Sequence, residues 1–200
     1  MKKKGIFGGT FDPIHNGHLH IAYEALYKLN LDKVIFIPSG NPPHKTDKII
    51  TDAEIRYKLV KDAIEHEQKF EVSDYELNNR SLSYTYKTLK HFNEEHKETE
   101  WYFITGADCL MQLDLWKNIN EVLSLCNFVV FKRSGYSMEE MLKQKNRIEK
   151  KFNKKIIFLD IPVIDISSTT IRNKIKNGEN ISYLVPERAR YIVNKMNLYK

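Results

Sequence analysis

Two hundred residues, 42% hydrophobic and 29% charged, describe an ordinary soluble globular protein with enough chain to bury one core. No apolar run approaches the ~18–20 residues that span a bilayer, and the opening MKKKGIFGG has neither the apolar segment nor the cleavage site of a secretory signal. The net charge of +6 lies in one stretch, residues 143–155, where seven Lys or Arg meet the single acid Glu149 and outside which the charges balance.

The chain begins with a short apolar strand, Gly5–Phe7, that runs into GGTFDPIHNGHLH. Gly8 and Gly9 remove side chains where the backbone turns, leaving N–H groups open to an oxyanion, and Thr10 adds a hydroxyl. Asp12-Pro13 is a turn signal. Asn16-Gly17 then leads into a helix with apolar positions at Leu19, Ala22, Leu26 and Leu29. A helix start favours anions, and His15 and His18, three residues apart, converge there as hydrogen-bond donors. H-x-x-H-x-H without HExxH, and with a glycine between its first two histidines, favours a turn over a metal-ligand helix. His20 is read as surface or packing. Neither GxxxxGK[ST] nor GxGxxG occurs, which excludes a P-loop and a dinucleotide fingerprint.

A second strand, KVIFIP (33–38), precedes PSGNPPHK (38–45), and a helix marked by Ile55, Leu59 and Ala63 starts at Asp52. FEVSD (70–74) is a weaker strand. Thr85, Leu89 and Phe92 mark a third helix, which Ser83-Tyr84-Thr85 is placed to cap. WYFIT (101–105), CNFVVF (126–131) and KIIFL (155–159) complete the strands as nearly continuous apolar runs. Between them TGADCL leads to Trp116, which on its own is equally a core residue. Residues 143–155 form a helix and its exit loop. With no aromatic but Phe152 to stack on bases, a solvated face is favoured there over a polyanion-binding one. Cys109 and Cys126 share no CxxC spacing, implying neither a disulfide framework nor a zinc knuckle, and a reducing cytoplasm is expected.

After the last strand, DISSTTIR (165–172) opens a helix with Ser167, Ser168 and Thr169 as N-cap candidates. Arg172 stands one turn in, its forked donors suited to phosphate oxygens. A final helix carries Ala189, Ile192, Val193 and Met196 after Pro186 in its first turn. Strands alternating with helices predict an α/β fold, a mainly parallel sheet with helices on both faces. One domain is expected over residues 1–200, with residues 165–200 a C-terminal helical appendage. Ligands of such sheets sit at the carboxyl ends of strands, near the switch in strand order.

GGTFDPIHNGH resembles the T/HxGH signature of the nucleotidyltransferase superfamily, and DISSTTIR resembles its second, ISSTxIR, which binds ATP phosphates. The resemblance implies a Rossmann-like nucleotidyltransferase fold. PSGNPPHK, and TGADCL followed by Trp116, are similar to bacterial nicotinate mononucleotide adenylyltransferases, a likeness over nearly the whole chain. Phosphopantetheine adenylyltransferases share the N-terminal motif but lack the NPPHK and GAD…W combination.

What the resemblance implies is residue-specific. ATP is expected against Gly8, Gly9, Thr10, His15, His18, Ser167, Ser168, Thr169 and Arg172. Catalysis is expected from His18, His15, Lys45 and Arg172. The acceptor, nicotinate mononucleotide, is expected against Asn41, His44, Lys45, Tyr84, Thr85, Asp108, Trp116 and Arg133. Its ring would stack on Trp116, its carboxylate would meet main-chain N–H groups near Tyr84 and Thr85, and its ribose Asp108. At Arg133 the chain departs from the pattern, reading SGY where ARPGY-like residues are expected. Mg²⁺ is expected to travel with ATP, held by phosphates and water, with no protein metal centre. Neither nucleic acid nor membrane is an expected partner, and an oligomer is open. Three alternatives stand: a preference for nicotinamide mononucleotide, phosphopantetheine adenylyl transfer, and a non-catalytic nucleotide- or polyanion-binding protein.

Overall fold

Ile6 and Phe7, Ile35 and Phe36, Phe103 and Ile104, and Phe128 and Val129 fall alternately into two hydrophobic clusters on opposite faces of one sheet. Both faces are buried, which is why these runs are apolar without interruption. The computed structural model describes residues 1–41, 50–79, 82–132, 135–162 and 164–200. Its strands are β1 (Lys2–Gly9), β2 (Lys33–Pro38), β3 (Phe70–Val72), β4 (Thr99–Gly106), β5 (Asn127–Phe131) and β6 (Ile156–Leu159). They lie in the order β3-β2-β1-β4-β5-β6, every neighbouring pair parallel.

The helices are α1 (Asn16–Lys28), α2 (Ala53–Ile64), α3 (Tyr75–Asn78), α4 (Thr85–Glu95), α5 (Ala107–Met111), α6 (Ile119–Leu125), α7 (Met138–Phe152), α8 (Ser168–Lys176) and α9 (Glu187–Lys195). Through Leu26, Leu59, Ile171 and Val193, helices α1, α2, α8 and α9 cover one face. Leu89, Leu110, Val122 and Ile148 bring α4, α5, α6 and α7 onto the other. The C-terminal helices are thus built into the core. Asp52 begins α2 as its spacing predicts, accepting the Glu54 N–H at 2.9 Å. Helices α3, α5 and α6 occupy stretches that carry no periodic signal, because two turns or fewer are too short to show one. Pro186 stands at the N-cap of α9 rather than within its first turn, and Met196 is its C-cap, 47% exposed rather than on the apolar face.

The basic helix α7 is partly neutralised. Arg147 and Lys151 both pair with Asp114, the latter at 3.0 Å, and Lys145 meets Glu149 at 3.1 Å.

The sheet opens where its topology reverses. Pairing of β1 with β4 ends at Phe7 and Ile104. Beyond that point Gly8 and Gly9 stay with β2, while Thr105 and Gly106 stay with β5. A crevice follows between the carboxyl ends of β1 and β4, the place where open parallel sheets bind ligands.

Gly5 lets the core close across β1. A Cβ there would stand 2.9 Å from Ile104 Cδ1 and 3.0 Å from Leu31 Cδ1. Gly5→Ala is expected to lower stability by about 1–3 kcal/mol through overpacking. Urea unfolding should show a lower midpoint at unchanged slope.

Candidate active site

The turn after β1 is shaped by ring packing. Phe11 adopts φ +50 and folds back so that a Cβ on Gly9 would stand 2.9 Å from its ring, leaving room there for glycine. Its ring meets Phe7 edge-on at 5.7 Å and His18 at 4.9 Å. His15 is the N-cap of α1, and its backbone N–H donates to His18 Nδ1 at 3.2 Å. With Nδ1 an acceptor, the proton of neutral His18 sits on Nε2. The two imidazoles stack at 3.6 Å and 23°. Gly17 makes that stack possible: a Cβ there would lie 3.0 Å from His15 Nδ1 and 3.5 Å from Ile166. His15 is buried and His18 half-buried, so the inner ring supports the outer one.

The second motif closes on the first. Ser167 caps α8, its Oγ accepting the Thr170 N–H at 3.1 Å. Ser168 Oγ donates to the Pro13 carbonyl at 2.9 Å. Arg172 donates from Nη1 to the Asp12 carbonyl at 2.7 Å and from Nη2 to Thr169 Oγ1 at 3.3 Å. Two segments 160 residues apart are thereby held as one surface.

Beneath it lies a polar cluster that the motifs do not announce. Arg56 is 1% exposed. It donates to the carbonyls of Thr51 at 2.7 Å, Thr10 at 2.8 Å and Gly40 at 3.5 Å, tying the turn after β1 to the loop after β2. Burial pushes its guanidinium below the ordinary arginine value, opposed by the charge of Asp12. Burial likewise raises the carboxyl of Glu76, opposed by hydrogen bonds from Thr88 and Ser83 and by the charge of Arg56. Asp12 accepts the Tyr199 hydroxyl at 2.7 Å and the Thr51 N–H at 3.3 Å. A signal for Arg56 was present in the sequence: it is a charge beside Ile55 and Leu59, on the face of α2 that faces inward. For Tyr199 none was.

A cavity of about 460 Å³ fills the crevice. Gly8, Gly9, Thr10, His15 and His18 line it from the first turn, Ser167, Ser168, Thr169 and Arg172 from α8, and Asp108 from α5. His20 lines it as well, its Nε2 at 3.1 Å from the Pro162 carbonyl, where the sequence left it as surface or packing.

Asn41, Tyr84, Thr85 and Trp116 do not line this cavity. Asn41 exchanges hydrogen bonds with Ser83, through its N–H at 3.1 Å and its carbonyl at 3.0 Å. Tyr84 is the N-cap before Thr85 at the start of α4, and Lys117 stands over its ring at 4.7 Å. Trp116 is half-buried, edge-on to Phe103 at 6.0 Å and Phe128 at 5.9 Å. Phe103 in turn abuts Gly8, at 3.7 Å from the position of a Cβ there, so this wall is continuous with the cavity. His44, Lys45 and Arg133 lie outside the described residues.

Residues 6–174 match the cytidylyltransferase-like family model. A Clostridium novyi (strain NT) protein named "Probable nicotinate-nucleotide adenylyltransferase" is 90% identical over 200 residues, covering 100% of both chains. The chain belongs to the nicotinate-nucleotide adenylyltransferase family. A relative of the same name from Clostridium tetani (strain Massachusetts / E88) is 60% identical, again over 100% of both chains. Among solved structures, Plasmodium falciparum nicotinic acid mononucleotide adenylyltransferase complexed with NaAD superposes with a TM-score of 0.78 at 22% identity. That match covers 100% of this chain and 98% of the other. The same enzyme complexed with APC gives 0.77 at 21% identity. At such identities the likeness is one of fold.

Gly17→Ala tests the imidazole stack. The new methyl must displace the buried His15 ring, so the ring resonances of both His15 and His18 should shift in NMR spectra. ATP affinity should fall about three- to tenfold, the scale of one displaced donor.

Proposed function

We propose that this chain transfers the adenylyl group of ATP to nicotinate mononucleotide, releasing pyrophosphate and forming nicotinate adenine dinucleotide in NAD biosynthesis. One observation carries the reading beyond family membership: the two distant motifs line a single cavity at the split between β1 and β4. There the Gly8–Thr10 backbone, the imidazole of His18 and the guanidinium of Arg172 present donors to one bound polyanion.

In the reaction, an oxygen of the acceptor phosphate attacks the α-phosphorus in line. A new P–O bond forms as the bond to the β-phosphate oxygen breaks, and pyrophosphate leaves with that electron pair. The acceptor phosphate is largely dianionic at neutral pH, its second pKa being near ~6, so no general base and no covalent intermediate are required. Alignment and charge stabilisation remain for the protein. His18 donates from Nε2 to the α-phosphate, more strongly as charge shifts, with His15 holding its ring. Thr10 and the glycine backbone hold neighbouring oxygens, and Arg172 and Lys45 take up the charge of the leaving pyrophosphate. Ser167 and Thr169 complete the phosphate side.

On the acceptor side, Trp116 offers its indole face to the electron-poor pyridinium. Main-chain N–H groups near Tyr84 and Thr85 at the start of α4 meet the ring carboxylate, Asp108 meets a ribose hydroxyl, and Asn41, His44 and Arg133 are assigned to acceptor binding. Mg²⁺ is assigned to the triphosphate. Among the described residues no cluster of three His, Cys, Asp or Glu could cage a metal, and Asp12, lining the cavity, already accepts two donors. The ion would keep phosphate and water ligands. When bound, Mg²⁺ offsets triphosphate charge. We place the reaction in the cytoplasm, where the thiols of Cys109 and Cys126 stay reduced; no helix among the described residues is long and apolar enough to cross a membrane.

Pyrophosphate release with ATP and Mg²⁺ tests the whole. Nicotinate mononucleotide should outpace nicotinamide mononucleotide and phosphopantetheine, and a win for either of those would overturn the acceptor assignment. His18→Ala should lower kcat by ~10²–10³ in a folded protein, as for loss of one preorganised donor. Near-normal turnover would remove His18 from the chemistry. Trp116→Ala should raise KM for the acceptor more than for ATP; equal effects would make Trp116 structural.

A further inference from the structure

Asp12 is a meeting point that the reaction itself does not explain. It is 5% exposed, in the turn that lines the cavity, and three parts of the chain donate to it. The Tyr199 hydroxyl reaches Oδ1 at 2.7 Å, the Thr51 N–H reaches Oδ2 at 3.3 Å, and Arg172 reaches the main-chain carbonyl at 2.7 Å. Tyr199 is the penultimate residue, in a segment whose Leu198 packs on the core. Its backbone takes φ +67, and Phe11 beside Asp12 takes φ +50. Bulky side chains adopt this left-handed region only at a cost in energy, so surrounding contacts must hold both residues there.

We propose that Tyr199 is a positioning residue for triphosphate binding: its hydroxyl clamps the Thr10–Pro13 turn through the Asp12 carboxylate. The proposal rests on the nucleotide site described above. A buried carboxylate needs donors, and a hydrogen bond to a charged acceptor is among the stronger ones available. While Oδ1 is held by Tyr199 and Oδ2 by Thr51, the Asp12 carbonyl stays aimed at Arg172. Arg172 therefore keeps its guanidinium at the cavity wall, and the Thr10 carbonyl stays on Arg56, which leaves the turn's outer edge to the anion. Losing the hydroxyl loosens the turn without removing any group that touches substrate. The effect should appear in ATP binding and spare the chemical step.

Titration calorimetry with ATP and Mg²⁺, without acceptor, reads this directly, alongside steady-state kinetics. Tyr199→Phe keeps the ring and should weaken ATP binding about tenfold. KM for ATP should rise to match, with kcat within about threefold and KM for the acceptor within about twofold of the parent. Asp12→Asn should act in the same direction, and the double variant should bind no more weakly than the weaker single one. Leu198→Ala, a control on the same segment, should lower the melting temperature and leave ATP affinity unchanged. Parent-like ATP affinity in Tyr199→Phe, additive losses in the double variant, or an equal loss in Leu198→Ala would each overturn the proposal. Binding needs no turnover, so a parent protein that binds ATP but makes no dinucleotide would sink the proposed reaction and leave the role of Tyr199 measurable.

Discussion

Everything at the crevice depends on the bond between the Arg172 guanidinium and the Asp12 carbonyl, which joins residues 160 apart at 2.7 Å. A site for a triphosphate must gather positive character, from a helix start, an arginine and backbone N–H groups, and such groups repel one another before an anion arrives. Here carbonyl oxygens separate them. Those of Asp12, Pro13 and Thr10 accept from Arg172, Ser168 and Arg56, so the donors are held by partners of opposite polarity. The anion then meets groups already in place, and little reorganisation is left for the moment of reaction.

The space for that anion comes from the sheet. Once β1 and β4 part after Phe7 and Ile104, two glycines continue on one side and Gly106 ends the other. The walls are rigid because each belongs to a strand buried on both faces. Even the histidine pair is set by packing. Phe11 and Gly17 leave one orientation for the stacked rings, and the bond from the His15 N–H chooses the nitrogen of His18 that keeps its proton. Arg56 extends this rigidity sideways, joining the turn after β1 to the loop after β2 from which Asn41 reaches Ser83. The turn after β1 and the loop after β2 are thus parts of one hydrogen-bonded frame.

Helices α8 and α9 have a double role. Ile171, Ala189 and Val193 complete the core over one face, while Ser168 and Arg172 on the same segment complete the cavity. Packing of α8 on the core and closure of the cavity wall are thus coupled. A packing lesion at Ile171, on the helix that carries Ser168 and Arg172, should therefore impair binding and stability together.

The strands were legible because burial on both faces leaves an unbroken apolar run, and β2 spans Lys33–Pro38, the run read from its residues. Both motifs that line the cavity were legible for a local reason: glycines, capping hydroxyls and closely spaced histidines state their requirements within a few residues. The short helices α3, α5 and α6 were not, since their packing partners hold them and their own periodicity does not. Only the tertiary structure decided that α8 faces the first turn, that His20 reaches the cavity, and that Trp116 packs on the Phe103 beside Gly8. It alone brought Arg56 to the Thr10 carbonyl and Tyr199 to Asp12. Partners separated by up to 187 residues leave no trace in local spacing, because nothing in either neighbourhood specifies the distance across the fold.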